Sequence, residues 1–397
     1  MTQCPEALRR SPGPKWRRSV PLYLLIFFLT LNHSAFAGAR VAVSLYAIHL
    51  QATTFTVGTL IALFGLLPML LSLTVGRLID RIGARAPLLA GSLIVAAGTL
   101  LPSLIPGLGT LYVVCPLLGL GYIGCHLAVQ NTVGFIGTAA DRPANFSHLA
   151  TGIAASSFAG PMLAGLSIDW LGYGSAFTIL ALLPLATAAA IAMNGLKLPP
   201  PRRQSPRAGK ARVADLLGDR ELRRVFIISG LHAIAWELFS FMTPIYGSQI
   251  GLSASAIGVV MASFATASFT VRLALPFLTR RVSSLRLLRD TMLLAAVAYA
   301  VFPFMTQLAI LMAIAFMLGL ALGGAQPMVM ALLHDAAPEG RTGEAVGVRA
   351  TIVTAGQTSM PLLFGAVGSA LGVTAAFWAV AAALALGSRI VRRPRKP

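Results

Sequence analysis

Stretches of about 20 residues with almost no charge, the length a helix needs to cross a bilayer, recur twelve times along this chain. They span 20–48, 54–77, 86–105, 109–136, 145–168, 173–194, 224–248, 253–277, 287–305, 308–333, 345–368 and 373–390. Run length, and the need to satisfy every backbone group inside hydrocarbon, predict helices rather than strands. Only 11% of the residues are charged and 56% are hydrophobic, whereas a soluble domain carries about 25% charged residues. Too little polar surface remains to cover a water-soluble globule. A soluble enzyme or a nucleic-acid binder is therefore excluded, despite a formal net charge of +19. The expected class is an all-α integral membrane protein with twelve transmembrane helices.

The basic residues supply a topology. Apart from Arg40, Arg272 and Arg349, which fall inside spans, all 31 Lys and Arg residues lie in the two tails or in every second loop. Basic loops stay on the cytoplasmic side. The expected placement is a multi-pass protein of the bacterial inner membrane with both termini in the cytoplasm. The N-terminal basic stretch resembles a signal peptide, but the run after it is too long for one and reads as a retained first span. The chain divides into a tail (1–19), six spans (20–194), a basic Pro-rich linker (195–223), six further spans (224–390) and a basic tail (391–397). The end of the linker, Val213 to Arg224, reads as a short amphipathic helix or a plain tether. The cysteines Cys4, Cys115 and Cys125 have no metal-ligand spacing, and no cofactor motif stands out.

The two sets of six spans are related. At an offset of 200 residues Tyr46 meets Tyr246, Gly58 meets Gly258, and Leu118-Gly119-Leu120 meets Leu318-Gly319-Leu320. Further on, Pro161 meets Pro361, Gly165 meets Gly365, and Leu171-Gly172 meets Leu371-Gly372. An even number of spans per repeat gives the halves the same orientation. Such halves, with a site between them, are a transporter design.

The loop after span 2 reads Gly76-Arg77-Leu78-Ile79-Asp80-Arg81-Ile82-Gly83-Ala84-Arg85. This G-x-x-x-D-R-x-G-x-R pattern, with 6+6 spans and a long central linker, resembles the major facilitator superfamily. The resemblance implies two pseudo-symmetric six-helix bundles. It also implies a cytoplasmic latch at Gly76, Asp80, Arg81, Gly83 and Arg85. Asp80 would approach the start of span 11 near Gly340 to Glu344, and the two glycines would permit close helix approach. Gly160-Pro161-Met162-Leu163-Ala164-Gly165 in span 5 is similar to an element of proton-driven exporters in the family. It also reads simply as a helix-packing Gly-Pro. No Arg occurs early in span 4, where many drug/proton antiporters of the family carry one.

The resemblance implies that spans 1, 4, 7 and 10 line a central cavity. The polar residues there are Asn32, His33 and Arg40 in span 1, and Tyr122, His126 and Gln130 in span 4. Span 7 offers His232, Trp236 and Glu237, and span 10 offers Gln326. Polar groups in lipid are costly and should face protein or water. Interhelical hydrogen bonding is the plain alternative to substrate contact. In the repeat frame Glu237 corresponds to position 37, about 4.5 Å along a helix from Arg40, so the two can face each other across the halves. Arg272 and Arg349 either snorkel or point inward, and in the second case the cavity favours anionic or chelating substrates.

The resulting expectation is a non-enzymatic secondary transporter, most simply a monomer among membrane lipids, without cofactor, metal or nucleic-acid partner. Export of an amphiphilic small molecule is the favoured reading: a drug-like compound or secreted metabolite, with a siderophore as one option. The alternative is proton-coupled uptake of a small organic anion. Protons are the candidate coupling ion in either case.

Overall fold

The computed structural model describes residues 22–136, 142–193, 213–338 and 342–391, and among these every regular element is helical. Ten helices are long and apolar enough to cross a membrane by length and composition. One of them, Asn145–Met193, has 49 residues, about 75 Å of helix at 1.5 Å per residue. That is more than twice a bilayer core, and the chain breaks at Gly172, where φ is 80°. It supplies spans 5 and 6. The shorter apolar helix Val373–Ser388 is span 12.

The spans run Leu22–His49 (span 1), Thr54–Ile82 (2), Arg85–Leu104 (3), Leu108–Phe135 (4) and Arg142–Met193 (5 and 6). After the linker come Arg220–Gln249 (7), Ala254–Arg281 (8), Ser284–Val301 (9), Leu308–Gly323 resuming as Ala325–Ala336 (10), Thr342–Leu371 (11) and Val373–Ser388 (12). Spans 2 and 8 continue past the expected ends at 77 and 277, because helical hydrogen bonding outlasts the apolar run. The linker's end is a short helix, Val213–Gly218. Asp219 then caps span 7 by accepting from the Leu222 amide at 2.8 Å.

The repeat holds down to loop geometry. Thr53 and Ser253 cap spans 2 and 8, accepting from the Thr56 and Ala256 amides at 3.2 Å each. Gln51 (φ 60°) matches Gly251 (φ 80°), and Gly172 (φ 80°) matches Gly372 (φ 86°). Tyr46 meets Phe177 edge-on at 5.8 Å, and Tyr246 meets Phe377 at 6.1 Å. A Cβ on Gly119 would strike the Phe64 carbonyl, and one on Gly319 the Phe264 carbonyl. Tyr23, Phe27, Trp170, Phe277, Leu371 and Leu386 lie exposed on the outside, as expected of a surface bathed in lipid rather than water.

Candidate functional site

The site is set by where the two halves touch and where they part. At the end away from the basic loops, span 5 meets span 8 and span 2 meets span 11. Asp169 accepts from the Ala254 amide at 3.0 Å and the Ser255 amide at 2.7 Å. These are unpaired donors in the first turn of span 8, where a helix favours an anion. The pseudo-symmetric contact is weaker in kind: the hydroxyl of Ser369 accepts from the Phe55 amide at 2.9 Å. Glycines let the backbones close up. Gly58 lies against the Pro361 carbonyl and Gly365, and Gly258 against the Pro161 carbonyl. In the exporter-like element, Gly165 faces the Ala254 carbonyl of the other half, and Gly160 packs on Ser34 and Gly38 of its own. Both are close-packing positions.

Toward the basic end from Pro161 on span 5 and Met261 on span 8, Ser157, Ile153 and Arg272 line a cavity. It has two lobes. The first, about 170 Å³, takes His33, Phe36 and Arg40 from span 1, and Trp236, Phe239 and Phe264 from the second half. Its aromatic wall is ordered: Phe239 stacks on Phe264 at 4.2 Å and Trp236 meets Phe264 edge-on at 4.8 Å. The second, also about 170 Å³, is lined by Ser229, His232, Glu237, Arg272, Gln326, Arg349 and Gln357. Trp236 and Arg272 border both lobes.

At the roof, Arg40 Nη2 donates to Glu237 Oε2 at 3.0 Å, with the Glu237 side chain 3% and the Arg40 side chain 25% exposed. The interruption of span 10 at Gly324 explains the position of Arg272. The last-turn carbonyls before the break lack helical partners, and Arg272 Nε donates to the Gly323 carbonyl at 3.1 Å.

Of the residues singled out in the sequence, His33, Arg40, His232, Trp236, Glu237 and Gln326 line the lobes. Span 4 lines neither. Tyr122 and His126 hydrogen-bond to each other at 3.1 Å, and Tyr122 stacks behind Phe36 at 4.3 Å. Asn32 is fully buried, donating to the Phe28 carbonyl at 2.9 Å and accepting from Cys125 Sγ at 3.6 Å. Gln130 borders neither lobe. Sequence reading did not place Ser229, Gln357 or the aromatics Phe36, Phe239 and Phe264 here. Arg272 and Arg349 carried a usable signal as two of the three basic residues inside spans.

The latch lies partly outside the described residues: the side chains of Asp80 and Glu344 and the stretch 339–341 are among those not described. Among the described residues nothing lies within 4 Å of where a Cβ on Gly76 would be. Gly83, with φ 84°, serves the turn after span 2. Arg81 is exposed, and Arg85 donates to the Ile191 carbonyl at 3.3 Å.

A family model described as Major Facilitator Superfamily matches residues 22–308 and, in a second match, 225–397. No curated protein matches the sequence significantly. Solved structures match over nearly the whole chain. A POT family transporter in complex with 5-aminolevulinic acid is 14% identical, with 93% of this chain and 95% of that chain covered and a TM-score of 0.77. The nucleoside transporter NupG is 13% identical over 93% and 97%, with a TM-score of 0.73. A bacterial homolog of the human lysosomal transporter Spinster, inward-facing and unoccupied, is 15% identical over 96% and 97%, with a TM-score of 0.74. At these identities the likeness is one of fold.

Proposed function

The chain belongs to the major facilitator superfamily and is a membrane transporter rather than an enzyme, and from that premise we propose that it exports an amphiphilic small molecule by alternating access. The observation that carries this reading is a cavity whose aromatic lobe is lined from both halves, with a polar lobe of the second half beside it. Its aromatic lobe joins its polar lobe at Trp236 and Arg272. Each lobe encloses about 170 Å³, room for a compact organic group rather than for a whole drug-sized ligand. An aromatic wall beside fixed charges suits a cargo with one apolar and one polar end.

The contacts described between the halves gather at the end away from the basic loops, and the cavity lies toward the basic end, cytoplasmic under the positive-inside rule; this supports an access state that opens to the cytoplasm. Cargo then enters from the cytoplasm, and the halves rock to release it outside. The likeness of the Gly160 to Gly165 element to that of proton-driven exporters supports the outward direction. A monomer carries the whole cavity, and an ion gradient, with protons the candidate ion, supplies the energy.

Proton-coupled uptake of a small organic anion is the second reading. It is favoured by the Arg40–Glu237 pair at the roof, which joins the two halves and leaves an arginine beside the cavity for an anion. Inside-out vesicles carrying the protein should accumulate an amphiphilic probe when energised, and deletion cells should retain it. Accumulation only in right-side-out vesicles would overturn export in favour of uptake.

A further inference from the structure

The polar lobe holds more cationic and unpartnered groups than its own carboxylate can answer. Among the described residues Glu237 is the only acid lining it, and that acid is held 3.0 Å from Arg40. Arg349 of span 11 makes no hydrogen bond or ion pair among the described residues, and its Nε is buried without a partner. Arg272 of span 8 has Nε committed to the Gly323 carbonyl, which fixes the side chain and leaves its terminal nitrogens without a partner among the described residues. A guanidinium does not shed its charge in proteins. Both residues are partly buried, and an arriving anion would pair charge that the lobe's own carboxylate does not.

Two further groups point the same way. Ser229 and His232, one turn apart on span 7, are 3% and 8% exposed. Ser229 Oγ and His232 Nε2 have no partner, and both residues line the lobe. His232 Nδ1 lies 2.9 Å from the Ile228 carbonyl. A carbonyl only accepts, so Nδ1 carries the hydrogen. In the neutral ring Nε2 is therefore an acceptor, and its complement is a donor such as a hydroxyl next to an acid group.

We infer that the polar lobe is an anion subsite, in which Arg349 and Arg272 receive the carboxylate of an amphiphilic hydroxy acid, Ser229 and His232 bond the groups beside it, and the apolar body lies against Trp236 and Phe264. This rests on the transporter reading and narrows its substrate class. All four polar groups belong to the second half, so the acid is held by one half while its body reaches the seam between the two.

The test compares 3-hydroxy-2-naphthoate with its uncharged methyl ester, by calorimetry on the purified full chain in detergent and by flux in proteoliposomes. The acid should bind at least tenfold tighter than the ester. Arg349→Gln should erase that preference, and Arg349→Lys should restore part of it. Equal binding of acid and ester by the native protein, or no binding of the acid, overturns the anion subsite without recourse to any variant. A preference for the acid that survives both Arg349→Gln and Arg272→Gln also overturns it. The two readings fail separately. Tight acid binding with no flux defeats transport and leaves the subsite standing. Flux of the ester alone defeats the subsite and leaves transport standing.

Discussion

Arg40 and Glu237, contributed by different halves, meet at 3.0 Å at the roof of the cavity. Span 1 and span 7 occupy equivalent places in the repeat, so the contact sits near the pseudo-twofold axis. It is the one ion pair joining the halves among the described residues. Breaking a buried pair from one side leaves the other charge desolvated, at about 3–5 kcal/mol when both partners are fully buried. Arg40 is a quarter exposed, so solvent screens part of that cost.

Glu237→Gln should therefore lower the unfolding midpoint in detergent and reduce transport at least tenfold. The double variant Arg40→Gln/Glu237→Gln should be more stable than the sum of its parts, with a coupling of about 1–3 kcal/mol. Additivity within a few tenths of a kcal/mol would make the pair incidental.

Closure at the end away from the basic loops should be obligatory for turnover. Phe55 and Ser369 touch across the halves at 2.9 Å. Oxidising Phe55→Cys/Ser369→Cys should reduce flux to background, and a reductant should restore it. Undiminished flux through the oxidised protein would rule out alternating access. Cys115 and Cys125 are buried and free and should not compete.

Two glycines should respond in opposite ways. A Cβ on Gly119 would collide with the Phe64 carbonyl, so Gly119→Ala should destabilise by about 1–3 kcal/mol. Gly76 has nothing within 4 Å of that position, so Gly76→Ala should leave the midpoint unchanged or raise it by up to about 1 kcal/mol. Transport by Gly76→Ala should nevertheless slow, because the basic end must close in the other access state. A full transport rate would place Gly76 outside the closing surface.

Trp236 borders both lobes and packs edge-on against Phe264 at 4.8 Å. Trp236→Ala should weaken binding of an amphiphilic probe about tenfold, near 1.4 kcal/mol, and Trp236→Phe should weaken it less. Binding isotherms that coincide with those of the native protein would place the cargo elsewhere.

The spans were legible because a bilayer dictates their length, and the repeat because Pro, Gly and Tyr seldom coincide by chance at one offset. That offset also brought Arg40 and Glu237 to matching places. Facing was harder to read. In hydrocarbon the outside of a bundle is as apolar as its inside, so periodicity does not say which side of a helix looks inward. Tyr122, His126 and Gln130 share one side of span 4 yet border neither lobe. Arg349 and Gln357 come from span 11, which was not among the spans expected to line the cavity. The position of Arg272 depends on the interruption of span 10 at Gly324, which requires knowing that spans 8 and 10 are neighbours.

The seam away from the basic loops is unequal on its two sides. Asp169 grips two amides of span 8, whereas its counterpart Ser369 grips one of span 2. Bonds to an ionised acceptor are roughly twice as strong as neutral ones. The molecule is thus joined like a door with one stiff jamb: the line between spans 2 and 11 is the more weakly bonded of the two.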